Sequence, residues 1–172
     1  MNEMLAQAPP FTEPHVAPNQ WAYIRDALKQ GKLDGNGPYT QRAAAFIRRV
    51  TEASAVLLTP SGTHALEMSA IALDLEPGDE VIVPAFSYAP TASAFALRGA
   101  RLVFVDCHAD TLNVRADHIE AAITDRTRAI VVLHYAGVPC EMTPILEVAR
   151  RHGLAVVEDS AQAFGSTYRG RP

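Results

Sequence analysis

Five short, almost wholly apolar runs separated by stretches of helical period constrain this chain more than any other feature. The runs are 55–59 (Ala-Val-Leu-Leu-Thr), 80–83 (Glu-Val-Ile-Val), 101–105 (Arg-Leu-Val-Phe-Val), 129–133 (Ala-Ile-Val-Val-Leu) and 154–157 (Leu-Ala-Val-Val). Strands that are apolar throughout, with little alternation, are expected where helices cover both faces of a sheet. Helical stretches are predicted between them at 63–73, 89–97, 116–123 and 142–151. A strand–helix–strand series of this kind predicts an α/β fold with a mainly parallel sheet covered by helices. Pro77-Gly78-Asp79 and Gly153 punctuate the strand starts as short helix-to-strand loops do.

Ahead of this series, residues 19–30 predict a helix with Trp21, Ile24 and Leu28 on one face and Gly31 as its stop. The run from Leu33 to Pro38 is too rich in glycine and turn formers for a regular element. Thr40 is placed to cap a second helix whose apolar face is Ala43, Phe46, Ile47 and Val50. Residues 1–14, with three prolines, predict an extended arm, and 15–172 the domain itself.

Composition limits what such a fold would bind. A chain of 172 residues suits one domain and buries about 70% of its unfolded surface. With a formal net charge of -4 and no basic run longer than two residues, nucleic acid and anionic membrane surfaces are poor partners. Cys107 and Cys140 lie far apart and make no metal-spacing motif, so two buried thiols are expected. Residues from Met1 to Phe11 do not have the pattern of a signal peptide, and no apolar run reaches membrane-spanning length, so the cytoplasm is the expected compartment.

In open parallel sheets, ligands bind beyond the carboxyl ends of the strands. After the first run comes Thr59-Pro60-Ser61-Gly62-Thr63-His64, a small hydroxyl-rich turn feeding a helix. It suits a phosphate at the free helix amides, or a simple cap by Ser61 or Thr63. After the second, Phe86 and Tyr88 either pack on the helices or give a planar ligand a flat wall. After the fourth, His134 is an acid, a base, a substrate partner or merely a satisfied strand-end histidine, and no second histidine at metal spacing accompanies it. After the fifth, Glu158 and Asp159 end a buried strand, where a carboxylate is costly without a partner. A protonated ring nitrogen would be one partner; a helix amino terminus, with Gln162 on its first turn, is the structural alternative. The only two lysines, Lys29 and Lys32, end the first helix and read as solvated surface groups.

Taken together, several of these segments resemble the DegT/DnrJ/StrS family of pyridoxal phosphate (PLP) dependent sugar aminotransferases. They are Gly31-Lys32-Leu33 with Gly35 and Gly37, then Leu58 to Leu66, Pro77 to Pro84, Val103 to Asp106, His134 to Gly137 and Glu158 to Gln162. The His-Tyr-Ala-Gly run with Cys140-Glu141-Met142 is most similar to the branch acting as dTDP-4-amino-4,6-dideoxygalactose transaminase. The resemblance implies the large domain of a fold-type I PLP enzyme. It implies that Gly62 and Thr63 hold the cofactor phosphate, that Tyr88 stacks on the pyridine ring, that Asp159 pairs with the ring nitrogen and that Gln162 approaches the ring hydroxyl. Lys32 in the 31–37 loop, with His134 and Tyr135, would face the nucleotide-sugar or a second subunit.

The same resemblance implies a reaction, from glutamate to a dTDP-4-keto-6-deoxysugar, in a homodimer. It also implies a lysine that carries the cofactor as a Schiff base, expected beyond Pro172 together with a C-terminal domain. The chain therefore reads as a fragment, inactive alone. An uncovered sheet edge would drive self-association or recruitment of a completing half. The alternatives are a non-catalytic module binding PLP, pyridoxamine phosphate (PMP) or a nucleotide-sugar, a fragment of a PLP-dependent sugar dehydratase, and a purely structural role.

Overall fold

The sheet forms where each apolar run finds a neighbour to ladder with. In the computed structural model, which describes residues 13–172, four of the five runs do so. They are β1 (Glu80–Pro84), β2 (Arg101–Val105), β3 (Thr127–Leu133) and β4 (Ala155–Asp159), in the order β2-β1-β3-β4 with every pairing parallel. The fifth run, 55–59, is a correction: it is not a strand. No strand among the described residues pairs with it, and Leu57 and Leu58 are exposed. Apolar composition alone does not make a strand without a ladder partner to satisfy its amides and carbonyls.

The chain divides into two compact units, residues 1–45 and 46–172. The first holds α1 (Gln20–Gln30) and the start of α2 (Pro38–Thr51). Gly31 ends α1 in the left-handed region at φ 68°, as expected of a helix-stopping glycine. The expected cap at Thr40 is corrected: α2 begins at Pro38, whose fixed φ suits a first helical position, so Thr40 lies inside the first turn. Arg42 sits over the rings of Tyr23 and Tyr39 at 5.2 and 5.0 Å, and the Tyr39 hydroxyl donates to Asp26 at 2.7 Å. No residue of α1 is buried, so Trp21, Ile24 and Leu28 form an exposed apolar face. Of the expected arm, residues 1–12 lie outside the described residues.

In the second unit, α3 (Gly62–Ala72), α4 (Ala89–Ala96), α5 (Ala116–Ala121) and α6 (Met142–His152) cover the sheet. Strand residues alternate between its two faces. Val81, Val83, Ala129 and Val131 pack with Leu66 and Ala70 of α3 and Ala92 and Phe95 of α4. Ile82, Ile130 and Val132 point the other way, onto Ile119 of α5 and Ile145 and Val148 of α6. This two-sided burial explains why the runs show no polar alternation. β1 is buried along its whole length, while edge strands β2 and β4 are partly exposed. None of the described helices is long and apolar enough to cross a membrane. Cys140 is buried as expected, but Cys107 is only half-buried, because it lies past the end of β2 in an isolated bridge to Val114; both thiols are free.

Candidate functional site at the carboxyl rim of the sheet

The alternation that builds the core also sorts the two acidic residues at the end of β4. Asp159 shares the α3/α4 side with Val157, and Glu158 the α5/α6 side with Val156. The carboxylates therefore serve two separate environments. β4 extends through both, so they are the last strand residues rather than a helix start. Residues 161–165 form turns, closed by Ala163 N–H to Ser160 O and Ser166 N–H to Ala163 O. The helix-terminus alternative for this segment is thus not what the chain adopts.

Asp159 is fixed by neutral donors. The Thr91 hydroxyl donates to Oδ2 at 2.8 Å and the Ala161 amide to Oδ1 at 3.1 Å. Thr91 is completely buried in the first turn of α4. Tyr88 caps that helix, and its carbonyl accepts from the Thr91 amide at 2.9 Å. One short turn thus ties the aromatic at the helix start to the carboxylate at the strand end. The Tyr88 ring is 74% exposed, so it packs into no core; Phe86 is the aromatic that packs, edge-on against Tyr135 with centroids 5.1 Å apart.

On the same face, α3 starts at Gly62. Ser61 is its cap, with Oγ accepting from the His64 amide at 3.2 Å and lying 2.8 Å from His64 Nδ1. The capping alternative is real, but it satisfies only His64. The amides of Gly62 and Thr63 belong to the first turn, which has no intrahelical acceptor for them. A Cβ built on Gly62 would meet nothing within 4 Å, so the space above the helix start is open. Packing between α3 and α4 holds the two helix starts on one side of the sheet.

On the opposite side, the His134 ring is buried and both its nitrogens are engaged. Nε2 lies 2.9 Å from Glu158 Oε2, and Nδ1 accepts from the Cys140 amide at 3.0 Å. Cys140 first and Glu158 second push the ring's pKa up from its ordinary value. The amide contact opposes that, because a backbone N–H can only donate and needs a lone pair on Nδ1. The neutral ring with its proton on Nε2, donating to Glu158, satisfies both contacts. The His134 amide also donates to the Asp159 carbonyl at 3.2 Å, so this residue bolts β3 to β4 on either side of the rim.

Tyr135 opens a short 3-10 turn (Tyr135–Gly137) beside Gln162, whose Oε1 accepts from the Ala136 amide at 2.8 Å. Lys32 belongs to the first unit, where its ammonium pairs with Asp34 at 3.2 Å on the surface. At this rim, sequence reasoning missed two buried polar residues, Thr91 and Asn113. Thr91 carried a faint signal, a hydroxyl at the first turn of an otherwise alanine-rich apolar helix. Asn113 carried none, since its partners at 135 and 138 are remote in sequence.

The sequence pattern of the DegT/DnrJ/EryC1/StrS aminotransferase family matches residues 14–172. Among solved structures, the aminotransferase TlmJ from Streptoalloteichus hindustanus is 38% identical, with a TM-score of 0.89 over 94% of this chain and 44% of its own. An aminotransferase from Psychrobacter cryohalolentis is 33% identical, with a TM-score of 0.89 over 94% of this chain and 42% of its own. The GDP-4-keto-6-deoxy-D-mannose-3-dehydratase of E. coli, solved with bound hydrated PLP, is 25% identical, with a TM-score of 0.87 over 95% and 43%. The chain spans less than half the length of these proteins and matches part of their larger, fold-type I architecture.

Proposed function

Because the chain belongs to the DegT/DnrJ/EryC1/StrS aminotransferase family, we propose that it supplies the phosphate, ring-face and ring-nitrogen contacts of a PLP site in an enzyme that aminates a sugar nucleotide. The observation that carries this reading is Asp159, a half-buried carboxylate held by a hydroxyl and an amide with no cation paired to it among the described residues. Such a group is suited to a positively charged partner brought by a ligand.

The donor set fits the cofactor. The open space over Gly62, the first-turn amides of Gly62 and Thr63, and the α3 amino terminus suit a phosphate dianion. The exposed Tyr88 ring offers a face to a planar heterocycle. When bound, PLP supplies an electron-accepting ring. Asp159 accepts a hydrogen bond from the ring nitrogen and keeps the proton there, while Thr91 and Ala161 hold the carboxylate in place. Gln162 approaches the ring hydroxyl. Tyr135 serves the sugar nucleotide. Within the first unit, the Lys32–Asp34 pair is a surface one, worth only about 0–1 kcal/mol, so Lys32 is free to exchange that partner for a nucleotide-sugar phosphate or a second subunit. His134, with both ring nitrogens committed, acts for the substrate through the placement of Tyr135.

At finer grain, the proposed reaction takes the amino group from glutamate to a dTDP-4-keto-6-deoxysugar in the cytoplasm, in a homodimer. The support is the His134–Gly137 run and Cys140-Glu141-Met142, together with the exposed apolar face of α1. Residues 46–172 contain no lysine, which favours a second reading in which the 172 residues by themselves grip PLP or PMP without turning over. Titrating the purified chain with PMP and assaying amine transfer to a ketosugar separates the two. Binding without transfer is expected. Absence of binding overturns the site, and robust transfer overturns the inactivity of the isolated chain.

A further inference from the structure

Asn113 lies in the loop between β2 and α5 and is buried, with 4% of its surface exposed. Its side-chain amide grips both ends of one turn: Oδ1 accepts from the Tyr135 amide at 3.1 Å, and Nδ2 donates to the Val138 carbonyl at 3.0 Å. The turn between those grips is not one the chain adopts freely. Ala136 sits in the left-handed region at φ 52° and ψ 26°, which is disfavoured for a residue with a Cβ. Gly137 follows at φ 83°, and a Cβ there would come within 3.2 Å of the Gln162 carbonyl oxygen. Ser166 closes the far side by donating to the Gly137 carbonyl at 2.9 Å.

The outcome of this bracing is the direction of one bond. The Ala136 amide donates to Gln162 at 2.8 Å, and a backbone N–H can only donate. The end of the Gln162 amide that faces it must therefore be the oxygen. The end left over is the NH₂ group, so the end of Gln162 turned away from the turn carries its donors. We propose that Asn113 is a positioning residue that acts through the 135–138 turn to present Gln162 as a donor to the ring 3-oxygen of bound PLP or PMP. The inference rests on the reading of this rim as a PLP site. It adds a remote residue and a defined polarity to the Gln162 contact.

Two measurements on the 172-residue chain test it. The first needs no cofactor. Exchange of the Ala136 amide, followed by NMR, is expected to speed up in Asn113→Ala and in Gln162→Leu, and to stay slow in Gln162→Glu, which keeps an acceptor oxygen. Unchanged exchange in Asn113→Ala, with circular dichroism showing a folded chain, overturns the coupling. Asn113→Asp, which keeps the acceptor for Tyr135 and loses the donor to Val138, serves if the alanine variant does not fold; an amide as slow as wild type in that variant likewise overturns it.

The second compares PMP with its 3-deoxy counterpart, which lacks the ring oxygen. Asn113→Ala is expected to weaken PMP by about five- to tenfold, the scale of one hydrogen bond, and to leave the 3-deoxy compound unaffected. Equal losses for both ligands would mean a merely structural role and overturn the proposal. If wild-type chain binds neither ligand, the PLP reading fails and the ligand half of the proposal fails with it. The exchange experiment then decides whether Asn113 still sets the polarity of Gln162.

Discussion

Glu80 and Asp159 are both acidic residues at strand ends, at opposite rims of one sheet, and they are satisfied in opposite ways. Glu80, at the start of β1, is buried and receives a hydrogen bond from Thr124 and an ion pair from Arg126 at 3.0 Å, with Arg101 3.7 Å away. Its charge is neutralised by the chain itself. Asp159, at the end of β4, receives only a hydroxyl and an amide. Hydrogen bonds fix its direction but leave its charge unpaired among the described residues. The proposed ligand role of Asp159 rests on this difference: the chain meets the charge of Glu80 itself and, among the described residues, leaves that of Asp159 unmet. It also follows the rule that parallel sheets bind at the carboxyl ends of their strands.

Asp159→Asn should break the comparison most sharply. It keeps the shape and removes the charge, so PMP affinity should fall by about 10- to 100-fold, the scale of a hydrogen bond to a charged group. Fluorescence titration would show this, and an affinity within twofold of wild type would put Asp159 with the structural carboxylates. Thr91→Val comes next. It removes the donor to Oδ2 while filling nearly the same volume, and it should weaken PMP by about fivefold and cost about 1 kcal/mol in urea unfolding. A stability loss with no change in PMP affinity would mean that the hydroxyl serves the fold alone.

Glu80→Gln should do the reverse, lowering stability without touching PMP affinity. Thr124 first, then Arg126, holds the Glu80 carboxyl below its ordinary 4.5. A carboxyl depressed on folding stabilises the chain above its unfolded pKa. That contribution is lost as pH falls through the folded value. The gap in urea midpoint between wild type and Glu80→Gln should therefore be full at pH 7 and close as acid takes the pH below the ordinary carboxylate range. A gap that persists in acid would remove the charge from the explanation. The smallest effect belongs to Asp117, whose exposed carboxyl the Arg115 guanidinium holds down at about 2. Asp117→Asn should leave both the urea midpoint and PMP affinity at their pH 7 values, because solvent screens an exposed pair. A clear drop in midpoint would show that strand-end burial is not what separates Glu80 from a surface carboxylate.

Much of the fold was legible because burial on both faces writes itself into sequence as unbroken apolar runs. The runs at 80–83, 101–105, 129–133 and 154–157 became strands to within a few residues, and every helix expected after residue 60 formed. The run at 55–59 has the same composition and is no strand, since pairing is a property of a neighbour rather than of the segment. Of the rim residues, Asp159, Gln162 and Tyr88 stood out because polar or aromatic groups followed apolar runs. His134 also follows an apolar run, and its ring sits between Glu158 and the Cys140 amide.

The sequence by itself determined what is periodic and local: which stretches coil, which extend, where Gly31 and Gly153 stop a helix, and which polar groups sit at strand ends. Only the tertiary structure decided which carboxylate acquires cations and which neutral donors. It also decided that Thr91 reaches Asp159 across 68 positions of sequence, and that Asn113 spans a turn 22 to 25 positions away. The physical reason is range. Backbone propensity and side-chain period act over a few neighbours, whereas a hydrogen bond joins whatever atoms packing brings within about 3 Å, and nothing in either local segment records its partner.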